Sequence, residues 1–180
     1  MENIPVPKSA LLIVDMQHGL FHGLERPFAG QRVLGNINRL IARARSRGVP
    51  ILAARHTGPQ GSALAAGSRN WHLLSELELD ATKDILFDKR QPSCFQGTGL
   101  ADRLKTLGVT ELVIAGMKTQ YCVDTSCRIA AELGFSPTLV ADAHTCMDTP
   151  LLAAEAIIAH HNSTLAGPFV RLLNTVEVTF

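Results

Sequence analysis

Apolar positions along the chain fall into two alternating patterns. Short runs that are apolar at nearly every position recur as ALLIVDM (10–16), PILAARH (50–56), DILFDK (84–89), ELVIAGM (111–117) and PTLVADA (137–143), with a last one in FVRLLNT (169–175). Between them, apolar residues recur at helical spacing. In QRVLGNINRLIARARSRG (31–48), Val33, Ile37, Leu40, Ile41 and Ala44 share one face, and Gly48 stands where a helix ends. GLADRLKTLG (99–108) and CVDTSCRIAAELG (122–134) read as helices closed by glycine, and PLLAAEAIIAHHNSTLAG (150–167) as one that starts at Pro150. Strands alternating with helices predict βαβ units, hence a parallel sheet covered on both faces. Continuously apolar strands agree, because such a sheet has no polar face. The expected fold is therefore a three-layer α/β/α, Rossmann-like arrangement of about six mostly parallel strands in a single domain, 1–180. The segment from Thr57 to Lys83 is long for a connection, which in a compact domain points to function.

In sheets of this kind ligands bind at the carboxyl ends of the strands. That rule collects a short set of residues: Asp15 and Gln17, Arg55 and His56, Asp88 and Lys89, Met117 to Cys122, and Asp142 to His144. Cys122 follows a strand and a turn and opens a helix. A helix N-terminus favours negative charge, so a thiol there is expected to ionise more readily, and the free N–H groups can hold an oxyanion. Asp15 ends an apolar strand, where a carboxylate costs free energy unless it is paired or lies in a cleft. If Asp15 and Lys89 converge on Cys122, the three make a base, an orienting cation and a nucleophile. The alternatives for Cys122 are a redox or metal pair with Cys127 and a small core residue; Cys127, a turn and a half along, reads as core.

Composition narrows the field. The 180 residues are 46% hydrophobic and 18% charged, as in a globular chain with a real core. The net charge of +1 offers nucleic acid or an anionic membrane no electrostatic hold. No apolar run reaches the ~18 residues of a membrane span. MENIPVPKSA has no basic region leading into an apolar one, so no secretion signal is expected and cytoplasm is the expected compartment. Cys94, Cys122, Cys127 and Cys146 are then expected as reduced thiols. A dinucleotide binder is disfavoured because GTGLAD (97–102) has Asp102 where the third glycine belongs, and no P-loop is present.

Three ordered motifs carry a resemblance to a known family. LLIVDMQ is similar to the D-x-Q strand end of the isochorismatase-like cysteine hydrolases, KRQPSCFQGTGL to their K-x-x-x-S-x-F…G-T-x-L motif, and GMKTQYCVDTSCRIAAELG to their G-x-x-T-x-x-C-V motif with its helix; VADAH resembles the V-x-D-A after the next strand. The resemblance implies Asp15 as base, Lys89 as the lysine and Cys122 as nucleophile. It also implies a cis peptide bond at Met117–Lys118 and an oxyanion hole from the Lys118 and Cys122 amides. It implies hydrolysis of a C–N bond (amide, carbamoyl or lactam) through an acyl-thioester, with no cofactor. The alternatives it leaves are a nicotinamidase and an isochorismatase-type hydrolase of a non-amide substrate. The nicotinamidase metal motif D-x-H is missing: ARHTGPQGS has one histidine and no aspartate. His160 and His161 are adjacent on a helix and point apart, so no metal is expected. HTGPQGSALAAGSRNW and the segment from Asp142 to Asn162 look most like a subgroup that includes streptothricin hydrolase. The pocket is expected to take a small-molecule substrate against Gln17, Phe21, Trp71, Phe95 and Tyr121, in a homodimer or larger homo-oligomer.

Overall fold

The computed structural model describes residues 8–180; most of the N-terminal stretch read for a secretion signal lies outside them. Six strands, β1 (Ser9–Val14), β2 (Ile51–His56), β3 (Ile85–Lys89), β4 (Glu111–Met117), β5 (Ser136–Thr145) and β6 (Arg171–Leu173), form one sheet. The order is β3-β2-β1-β4-β5-β6, and every pairing is parallel. The sheet is thus wholly rather than mostly parallel. Its order reverses between β1 and β4, and a crevice opens beyond the strand ends where two neighbours send their chains to opposite faces.

The apolar periodicities account for the layers. Helix α2 (Gly30–Ser46) lays Val33, Ile37, Leu40, Ile41 and Ala44 on Leu11, Ile13, Ile51, Ala53, Val113 and Ala115. Helices α3 (Leu100–Thr106) and α4 (Asp124–Glu132) cover the other face, where Leu100, Leu104, Cys127 and Ala130 meet Leu12, Val14, Leu52, Leu112 and Ile114. Alternate residues of β1 from Ala10 to Val14 enter opposite cores, which is why all five are apolar. Cys127 is a buried core residue of α4.

Three boundaries differ from the sequence expectation. A short helix, α1 (His18–Phe21), follows β1; four residues are too few to show helical periodicity. Helix α5 runs Ala154–Leu165, so Pro150 lies before it; Asp148 Oδ1 accepts from Ala154 N at 2.8 Å and starts the helix there. The helix expected from Cys122 begins instead as a wide π turn, Thr119–Val123, in which Val123 N donates to Lys118 O at 3.3 Å, and α4 proper follows.

At Gly116 the backbones of β4 and β1 come too close for a side chain. Its φ is +128°, and a Cβ there would lie 2.1 Å from the Val14 carbonyl oxygen. The obstacle is backbone and cannot swing away. Gly116→Ala is therefore expected to destabilise by about 3 kcal/mol. Urea unfolding should show a lower midpoint with little change in slope; an unchanged midpoint would contradict the close approach.

Candidate active site

Of the residues collected from the strand ends, Asp15, His56, Lys89, Lys118 and Cys122 come together at the β1–β4 switch, whereas Arg55 pairs with Asp88 at 2.8 Å and Asp142 accepts from Thr175 at 2.7 Å. Asp15 follows β1 in a left-handed conformation (φ +49°), which aspartate tolerates better than most residues, and is fully buried. Lys89 is the last residue of β3 and also buried. Cys122 sits in the π turn after β4, partly exposed. The Lys89 ammonium joins them: Nζ lies 2.7 Å from Asp15 Oδ2 and 3.2 Å from Cys122 Sγ, with Gln91 O at 3.1 Å and His56 Nδ1 at 3.5 Å. Asp15 Oδ1 is buried and takes no hydrogen bond from the described residues. A buried acceptor left open in this way suits a proton acceptor better than a structural anchor. The Met117–Lys118 bond is cis, as the family resemblance implied.

Burial dominates the electrostatics. It raises Asp15 above the usual carboxylate value of 3.8, against the attraction of Lys89. Burial also presses on Lys89, but Asp15 and the thiols Cys94 and Cys122 outweigh it and hold the ammonium protonated more firmly than a free lysine. Cys122 is pushed up to about 12, by burial first and then by the Asp15 charge, which together outweigh Lys89. This corrects the expectation that a helix start ionises the thiol. Desolvation beside a carboxylate is stronger here than the field of a short wide turn and favours the protonated thiol. Cys94 is likewise raised to about 12 by burial, and burial raises Cys127 and Cys146 too; all four are free thiols, and only Cys122 is not fully buried.

A cavity of about 290 Å³ opens onto this cluster, lined by Asp15, Leu20, His56, Leu64, Pro92, Lys118, Tyr121 and Cys122. Of the residues expected around substrate, Tyr121 lines it. Gln17, Phe21, Trp71 and Phe95 do not, and each is engaged elsewhere. The Gln17 side chain donates to His56 O (3.0 Å) and Trp71 O (2.7 Å) and accepts from His56 N (2.8 Å), tying the end of β2 to the long loop. Trp71 donates to Thr57 Oγ1 at 2.8 Å and lies under the Arg55 guanidinium, 3.8 Å away. Phe21 packs in the α2 core, and the Phe95 ring stacks on Phe135 at 6.0 Å. Leu20, Leu64 and Pro92 gave no signal in the sequence beyond lying near a motif or in the long loop.

His144, read as structural, is so placed: it is buried between Thr119 Oγ1 (2.9 Å) and Asn162 Oδ1 (2.8 Å), and burial lowers it to about 4. The neutral ring fixes Thr119 at the head of the π turn. His56 departs from expectation. It has no carboxylate neighbour in sequence, yet ligand atoms of Asp15, His56 and Cys122 lie within 4.8 Å of one another. They do not fit a metal ion, because Lys89 Nζ lies within 3.5 Å of all three residues and already supplies the cation.

An isochorismatase domain model matches residues 9–163. Two streptothricin hydrolases of Streptomyces noursei are 34% and 32% identical over 78% and 80% of this chain. The chain spans only 51% and 57% of their lengths. An uncharacterized isochorismatase family protein of Bacillus subtilis, YrdC, is 28% identical over 95% of this chain and 94% of its own. The crystal structure of an isochorismatase family protein, 32% identical, superposes with a TM-score of 0.86 over 92% of this chain and 98% of that one.

Proposed function

The chain belongs to the isochorismatase family, and on that premise we propose that it is a cysteine hydrolase that cleaves a C–N bond of a small molecule through a thioester on Cys122. The observation that carries the reading is the placement of Lys89 Nζ, 2.7 Å from Asp15 Oδ2 and 3.2 Å from Cys122 Sγ, both of which line the cavity. Asp15 accepts the thiol proton as sulfur attacks the substrate carbonyl. The Lys118 and Cys122 amides receive the oxyanion. Asp15 passes the proton to the departing nitrogen, the C–N bond breaks, and the acyl group stays on sulfur. Water then attacks the thioester; Asp15 takes its proton and returns it to the sulfur as the acid leaves. A carboxylate raised by burial is a stronger base than a free one, and such proton transfer contributes about 10²–10⁴-fold. The streptothricin hydrolase relatives make a cyclic amide one substrate to try, alongside primary amides and carbamoyl compounds in an ammonia- or amine-release screen.

Brief alkylation at neutral pH followed by intact-protein mass tests the assignment. One rapid adduct on Cys122 is expected, because the other three thiols are buried. It should form more slowly in Asp15→Asn, where the base is lost. First labelling at Cys127, or an Asp15→Asn rate equal to the parent, would remove the nucleophile assignment. Turnover should also survive exhaustive chelation, since the lysine ammonium provides the positive charge at the thiol; a stoichiometric metal needed for activity would revive the nicotinamidase reading.

A further inference from the structure

The Lys89 ammonium has three N–H donors and four acceptors around it: Asp15 Oδ2 at 2.7 Å, Gln91 O at 3.1 Å, Cys122 Sγ at 3.2 Å and His56 Nδ1 at 3.5 Å. Two hydrogens belong to Asp15 and Gln91. The third leans toward Cys122, the nearer of the remaining two. Once Cys122 carries an acyl group, its sulfur has lost most of its capacity to accept. A buried ammonium hydrogen left without a partner is costly. His56 Nδ1 is the acceptor within reach. Its backbone is held on both sides by the Gln17 amide, so the ring stays poised at the end of β2.

We infer that His56 is a positioning residue for the second half of the reaction: it takes over the third Lys89 hydrogen when Cys122 is acylated, and so keeps Asp15 aligned to activate water. The inference rests on the acyl-thioester reading above. In that role the ring must be neutral with Nδ1 unprotonated, and burial together with the Lys89 charge does lower its proton affinity. The exchange moves one hydrogen bond and no covalent bond. Attack by sulfur does not use it, because the hydrogen then still points at Cys122.

The test uses p-nitrophenyl acetate as acyl donor and follows both nitrophenol release and the fraction of protein carrying acetyl on Cys122 by quenched intact mass. In His56→Leu, which fills the space without an acceptor, any change in acylation from the altered cavity lining should be smaller than the change in deacylation. Deacylation should fall about 10- to 100-fold, the loss of one hydrogen bond to a charged group, so acetyl-enzyme accumulates. His56→Asn places an oxygen where Nδ1 stood and should restore deacylation. Equal losses in both half-reactions, unchanged deacylation, or failure of His56→Asn to differ from His56→Leu would each overturn the role of His56. Absence of any acetyl on Cys122 in the parent and in His56→Leu would instead remove the thioester reading on which it rests.

Discussion

Cys122→Ala is expected to lose turnover by about 10⁴-fold or more while the protein stays folded. Among the described residues no other thiol or serine lines the cavity, and Cys94, Cys127 and Cys146 are buried. The stability cost should be within about 1 kcal/mol. The thiol is partly exposed, and Lys89 retains Asp15, Gln91 and His56 as acceptors when Sγ is gone. Activity and urea midpoint measured on one preparation separate the two effects. Substantial residual hydrolysis in a folded Cys122→Ala protein would mean that the nucleophile lies elsewhere or that water is activated directly. Cys94→Ala, Cys127→Ala and Cys146→Ala should remain active, apart from what their cavities cost in stability.

Lys89→Met should lose both activity and stability. The ammonium is the counter-charge of Asp15, and both side chains are buried. Removing one partner of such a pair costs about 3–5 kcal/mol, because the other charge is left in a low-dielectric interior. The deficit should depend on pH. Asp15 already holds its proton more tightly when folded than the usual 3.8, so its protonated form favours the native state in acid, and that contribution is lost as pH rises through the folded value. Without Lys89 the folded value moves further up. The variant should thus be most destabilised at neutral pH and approach the parent toward acid. Adding Asp15→Asn removes the uncompensated charge and should recover stability at neutral pH without recovering turnover, which chemical denaturation across pH can follow. A pH-independent deficit, or no rescue in the double variant, would argue that Lys89 acts by packing alone.

The fold was legible because its evidence is local. Short, β-branched continuous apolar runs such as ALLIVDM fit strands buried on both faces, and Val33 to Ala44 recur at a spacing that a helix brings to one side. Strand ends of such a sheet are where ligands bind, so Asp15, Lys89 and Cys122 were identifiable before their distances were known. The resemblance to the family's three motifs then singled out these three from the larger strand-end set. The sequence also read Cys127 and His144 correctly as structural, from their positions inside a helix and a strand.

Other features depended on what the chain brings together from far apart. His56 and Cys122 are separated by two further strands in sequence, and only the order β3-β2-β1-β4 sets both against Lys89. Gln17, Trp71 and Phe95 are polar or aromatic residues near the motifs, which is all that sequence could say of them. Their partners, a strand-end backbone, a threonine hydroxyl and a second phenylalanine ring, turn them away from the cavity. The ionisation of Cys122 is the clearest case. A helix start favours a thiolate by a field that acts over one turn, whereas desolvation by the surrounding core and the charge of Asp15 act from every side. The sequence by itself marked the strand ends and the three motif residues Asp15, Lys89 and Cys122; the tertiary structure alone decided which residues meet there, their charge states and their partners, because burial and distance are properties of the packed chain.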